Sequence, residues 1–375
     1  MQPLSAIDAL SLLSRKAGVL SEDEEAELLL HLARSGLPQG SEGHVMELAQ
    51  AGMQKGHAMR IASLQCAAAA CACNWRVVEK TLIVTLGRAA FAGEGTVSSA
   101  AAEQLFCAGI ALLGECLRAV KEGLGSLHAA PPPLAIALLD CASMALRRNL
   151  CTKNDACQDQ AEAHTAAMLK RLLELIGSPP SEQGGAHNGT AVATHDLADS
   201  GLAQAQYALC SSLMACCTAE DARSERSFLL INALWRTLIR LATAAPLRDI
   251  VVASFAVCST TSDPEFPEQR KGIQSLALDL LHCMLPPLCR DVQKAAQYGD
   301  LAWLKLAEFR IVQLRMFSKS YAGLLVSVAM RESATSQPSV ASTLARGLAQ
   351  LFSIIPPTPL LRTTNQGFLH LEEWR

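Results

Sequence analysis

Apolar residues recur every three to four positions along most of this chain, the spacing that gathers them on one side of a helix. Punctuation between the periodic runs predicts where each helix begins and stops. Ile7, Leu10 and Leu13 form a first short stripe. Ser21-Glu22-Asp23-Glu24 reads as a capping box, in which the serine hydroxyl meets the N–H of Glu24 and the Glu24 carboxylate returns to the N–H of Ser21. The helix it opens carries Leu28, Leu29, Leu30 and Leu32 and stops at Gly36, which tolerates the left-handed backbone of a helix end. Further helices are predicted over 42–54 and 57–72. Asn74 caps the next, with Trp75, Val78, Leu82 and Leu86 along it. Thr81-Leu82-Ile83-Val84-Thr85 within that stretch is also the best strand candidate in the chain, and periodicity leaves the two readings open.

A loop at 93–98 precedes a long helix over 99–121, with Leu105, Ile110, Leu113 and Leu117 on its apolar face and Gly123 and Gly125 at its end. Pro133 suits a helix start, and Leu134, Ile136, Leu138, Leu139, Met144 and Leu146 follow it. Asn154 or Asp155 opens another helix, which ends at Gly177. After a break the pattern resumes over 202–217 and 224–243, the latter with Phe228, Leu234, Trp235 and Leu238. Pro246 opens a helix through Val251 and Phe255. Beyond a loop at 260–267 come a helix to Met284, a break at Pro286-Pro287 and a short helix to Gln297. The longest periodic segment, 301–330, is followed by a loop at 332–338 and a last helix to Phe352.

About fifteen helices joined by short turns, with no strands between them, define an all-α chain. Antiparallel helix pairs stacked into an irregular α-solenoid of the armadillo or HEAT kind suit this pattern, and a single irregular bundle is the structural alternative. No fixed repeat period runs through the sequence, and the tetratricopeptide and ankyrin signatures are absent. Residues 1–177 and 201–354 read as two helical-repeat regions. Between them 178–200, beginning Ser178-Pro179-Pro180-Ser181, is too polar and small to offset the entropy of ordering, so it reads as a disordered insert. Ser178-Pro179 is a minimal phosphorylation context, which makes Ser178 the candidate regulatory residue. From 355 onward, Pro356-Pro357-Thr358-Pro359 starts an extended tail.

Charge changes the picture little. The formal net charge is −3, which supports no strong claim on nucleic acid. Residues 223–375 carry 17 Lys and Arg against 12 Asp and Glu, while residues 1–222 carry 15 against 23, so any basic face belongs to the second half. The 14 cysteines mostly stand among Leu, Ala and Met, where a thiol packs as a small hydrophobe. Reduced cysteines of this kind suit the cytosol or nucleus. Acids from Asp8 to Glu25 argue against a leader peptide, and the longest apolar run, around 106–114, ends at Glu115, short of the ~20 residues that span a bilayer. No membrane is expected, and the sequon at Asn188 is expected to stay unmodified.

The chemistry-bearing motifs are missing. There is no Walker sequence, no G-x-G-x-x-G between strand and helix, and no G-x-S-x-G elbow. His282 and Cys283 are adjacent, roughly 100° apart on a helix, and poorly placed to pair as base and nucleophile. Cys66, Cys71 and Cys73 lie close together, yet no C-x-x-C pair accompanies them, so no metal and no cofactor are expected. One segment carries a recognition pattern. Lys294, Lys305, Arg310, Arg315 and Lys319 interleave with Tyr298, Trp303, Phe309, Phe317 and Tyr321. Interleaved basic and aromatic residues can hold phosphate and stack bases, and they also arise when aromatics form a core and cations a solvated face. Lys305, Arg310, Arg315 and Lys319 are the candidate partner-binding residues.

The run Phe228-Leu-Leu-Ile-Asn-Ala-Leu-Trp235-Arg-Thr-Leu-Ile-Arg-Leu-Ala242 resembles the helices of armadillo-type repeat proteins. Together with the long segment 301–330, it also resembles the regulator family that binds the fidgetin-like AAA ATPase in homologous recombination. That resemblance covers the second half and implies a helical, non-enzymatic nuclear protein with a partner ATPase; it assigns no residue a role. Three functional readings follow. The first is a non-enzymatic scaffold or adaptor for protein partners; the second is a nuclear repair or recombination regulator contacting an AAA ATPase or nucleic acid. The third is an enzyme whose acids and bases come together only in the fold.

Overall fold

The computed structural model describes residues 4–15, 19–92, 99–151, 158–177, 197–221 and 228–251, separate positions between 276 and 298, and residues 305–314 and 316–317. It divides into two units, Met1–Pro246 and Leu247–Arg375. Among the described residues all regular structure is helical.

Among its described residues the first unit contains ten α-helices: α1 (Ala6–Arg15), α2 (Glu22–Ser35), α3 (Glu42–Gly52), α4 (His57–Cys73), α5 (Lys80–Leu86), α6 (Ser99–Leu124), α7 (Pro132–Cys151), α8 (Gln158–Ile176), α9 (Leu197–Asp221) and α10 (Phe228–Ala242). Local chemistry sets their ends. The capping box forms: Glu24 N–H donates to Ser21 Oγ at 3.3 Å and Ser21 N–H to Glu24 Oε2 at 2.9 Å. Gly36, Gly125 and Gly177 follow helix ends with φ of 85°, 81° and 81°. Asn74 does cap, accepting from Arg76 N–H at 3.0 Å, but it opens a short 3-10 turn, Trp75–Val77, and α5 starts only at Lys80. The open stretch Thr81–Thr85 lies in α5 and is helical. A π-type turn, Gly87–Phe91, continues α5 and was not expected. Helix α9 begins at Leu197, five residues before the expected 202.

Packing follows a rule of next-but-one neighbours. Helix α2 lies on α4, α4 on α6, α6 on α8 and α8 on α10; α5 lies on α7 and α7 on α9. Within this row the pairs α1–α2, α3–α4 and α9–α10 also pack directly. Leu29, Leu64, Leu82, Leu113, Leu117, Leu138, Leu172, Leu209 and Leu238 are buried, each contributing about 1.5–3 kcal/mol of transfer free energy before entropy is set against it. Trp235 is also core, as its apolar helix suggested. Small residues bring the helices close. Ala62, Ala67 and Ala70 of α4 are buried, and Gly109 of α6 faces Ala90 and Phe91 so tightly that a Cβ there would collide. Phe91 meets Phe106 edge to face, with ring centroids 5.8 Å apart.

Polar ties join the same neighbours. Glu25 pairs with Lys55, and Glu22 Oε2 accepts from Gly56 N–H at 3.2 Å, fixing α2 to the start of α4. Arg171 of α8 donates to Glu115 of α6 at 2.6 Å. Ser143 of α7 and Ser212 of α9 meet at 2.7 Å, and Arg147 Nε donates to Ser212 Oγ at 3.1 Å. The stretch Ala100–Leu124 within α6 is, by length and composition, apolar enough to cross a membrane, which the reading of its single apolar run missed. In this fold Leu112, Leu113, Cys116, Leu117 and Val120 of α6 are buried against protein and Glu115 is ion-paired.

In the second unit residues 305–314 are helical, with Leu306, Ala307 and Gln313 buried along them, as is Phe317 beyond.

Candidate functional site

Of the recognition residues named from sequence, the structure describes Lys305 and Arg310. Lys305 is exposed. Arg310 is not: it lies on the inner stripe with Leu306, Ala307 and Gln313, one helical turn from each. Its Nε donates to Asp291 Oδ2 at 2.7 Å, and the two side chains are 3% and 0% exposed. Arg290 adds a second guanidinium at 3.2 Å. Burial pushes the Asp291 carboxyl up from its ordinary value, and the Arg310 and Arg290 charges pull against that rise. An arginine so placed neutralises an internal acid and does not line an open surface, which differs from the reading of Arg310 as a partner-binding residue. Arg315, Lys319 and Ser178 lie outside the described residues. Of the interleaved aromatics Tyr298 is exposed and Phe317 is core, while Trp303 and Tyr321 lie outside the described residues.

Most of the described cysteines pack as thiols inside helices. Cys66, Cys71, Cys107, Cys116, Cys141, Cys210, Cys216 and Cys217 are buried, Cys283 is half-buried, and Cys73 is exposed. Burial raises the Cys66 and Cys216 thiols to about 12 and also lifts those of Cys141 and Cys210. Cys71 and Cys116 stand with sulfurs 3.8 Å apart between α4 and α6. The hydrogen bond to Cys71, then burial, raises Cys116 further. Neutral thiols out of reach of solvent are poor nucleophiles. Among the described residues no three of His, Cys, Asp and Glu converge as a metal site.

Ser143 and Ser212 are the buried hydroxyls closest to a hydrolase-like arrangement. Their partners are each other, the Ala208 carbonyl and the Arg147 guanidinium, none of which is a base able to activate a nucleophile. Asp140, on the same helix, has its carboxyl raised by burial while Arg147 draws it down. The network ties α7 to α9.

What sequence reasoning missed lies on the surface between α4 and α6 in chain order. Trp75 is partly exposed, Gly123 of α6 packs against its indole, and the Arg76 guanidinium lies over the ring at 5.9 Å. Lys80, Thr81, Val84 and Arg88 are exposed beyond it. The i, i+4, i+8 spacing of Lys80, Val84 and Arg88 was the available signal, hidden because 81–85 stood open between strand and helix. No protein-family model, no curated protein and no solved structure matches the chain.

Proposed function

We propose that this chain is a non-enzymatic scaffold, an irregular α-solenoid that binds other proteins in the cytosol or nucleus. One observation carries the reading: in the first unit, helices α2, α4, α6, α8 and α10 each rest on the next but one, as do α5, α7 and α9. Stacks built this way grow by addition and hold their partners along an extended surface. The buried thiols and the base-free serine network support a structural role for the residues that would otherwise suggest catalysis. The nucleic-acid alternative loses Arg310 to the interior. The resemblance of 228–242, taken with 301–330, to the regulators that bind the fidgetin-like AAA ATPase supports the alternative reading, a nuclear regulator contacting an AAA ATPase.

Size fractionation of a nuclease-treated native extract tests the reading. The chain is expected in an assembly well above its own 39.9 kDa, stable in moderate salt. Elution of the whole population as a free monomer would overturn it.

A further inference from the structure

The strip from Trp75 to Arg88 takes little part in the helix packing through its outward side chains. Trp75 and Val84 are 36% and 37% exposed, among the exposed large apolar side chains of the described residues. Around them Arg76, Lys80 and Arg88 are exposed, and none of the three has an ion pair among the described residues. Lys80 and Arg88 flank Val84 one turn to either side, so the helix presents an apolar side chain between two cations. Glu79 is the only acid in the stretch. Solvated lysines and arginines ordinarily cover the outside of a helix, but here Lys80 and Arg88 stand on either side of Val84, and Arg76 lies over Trp75.

We propose that this strip receives an acidic, partly apolar segment of a partner protein. The proposal rests on the scaffold reading and locates its surface. Charge complementarity selects the occupant: exposed cations without an ion pair among the described residues, on both sides of an apolar centre, match carboxylates spaced around an apolar anchor. Trp75 supplies a preorganised aromatic edge, since Gly123 and Arg76 already hold the ring in place. The same contacts disfavour nucleic acid. Stacking a base on the indole would have to displace Gly123 or Arg76 from it.

Random-peptide display against the full-length chain tests this. Selected peptides are expected to be enriched in Asp and Glu beside Leu, Phe or Trp, and to bind about tenfold more weakly to the R76E/K80E/R88E variant. V84A should weaken them less, and circular dichroism melting of both variants should match the parent, because all four residues are exposed. Peptides without acid enrichment, or equal binding to the triple variant, would overturn the proposal. Binding of single-stranded oligothymidylate that the triple variant loses would overturn it in favour of nucleic acid. A native protein partner that binds the triple variant undiminished removes the strip and leaves the scaffold; a parent chain that binds no protein removes the scaffold itself.

Discussion

Arg310 and Asp291 hold each other inside the second unit, guanidinium nitrogen to carboxylate oxygen at 2.7 Å, with both side chains closed to solvent. A cation placed there is part of the interior. Removing it leaves a buried acid with Arg290 as its remaining partner.

Arg310→Met is therefore expected to cost about 3 kcal/mol in urea unfolding, the cost of leaving half of a buried pair. Lys305→Ala, at an exposed position, should stay within about 0.5 kcal/mol of the parent. Unchanged stability in R310M together with weakened partner binding would return Arg310 to the surface.

Glu115 joins α6 to Arg171 of α8 and also accepts from Arg118. Burial alone would raise its carboxyl, but the hydrogen bonds and charges of Arg171 and Arg118 outweigh this and hold it below the ordinary value. A folded-state value below the unfolded one gives stability that is present at neutral pH and lost as pH falls through the folded value. The parent should thus exceed Glu115→Gln in unfolding free energy at pH 7, by at most about 1 kcal/mol for this part-exposed pair. The gap should close on acidification below the carboxylate range. A gap independent of pH would contradict the assignment.

Gly109 allows α6 to approach the π-type turn at Gly87–Phe91. A methyl group at 109 would meet the Ala90 methyl and the Phe91 ring. Gly109→Ala should destabilise by about 1–3 kcal/mol despite its better helix propensity. Stabilisation in a thermal melt would show that the two elements stand further apart.

Thiol labelling separates packing from reactivity. Iodoacetamide at pH 8 should modify exposed Cys73 on the native chain, while Cys66, Cys116, Cys141, Cys210 and Cys216 react only as the unit opens. Labelling of Cys116 as fast as Cys73 would mean that the sulfurs between α4 and α6 are open to solvent.

Much of the first unit was readable from sequence because its helices carry their own punctuation. Ser21, Gly36, Gly125 and Gly177 act through local backbone chemistry that needs no knowledge of neighbours. The readings that depended on neighbours were harder. Thr81–Thr85 could be strand or helix until α7 supplied the surface on which Leu82, Ile83 and Leu86 close. Asn74 gave a cap without revealing that only a 3-10 turn would follow. Arg310 looked like one cation in a basic series, because Asp291, nineteen residues earlier, is invisible to helical periodicity. The exposed strip at Lys80, Val84 and Arg88 was obscured for the same reason: which face of α5 meets the core is decided by α7.

The central claim is that the chain acts by holding a protein partner. Affinity purification of the tagged full-length chain from its native cell, with nuclease treatment, a salt series and quantitative mass spectrometry, tests it most directly. The account predicts a protein recovered in stoichiometric amount through nuclease and moderate salt. Recovery of nucleic acid alone, lost as salt rises, or of the chain without any partner, would contradict it.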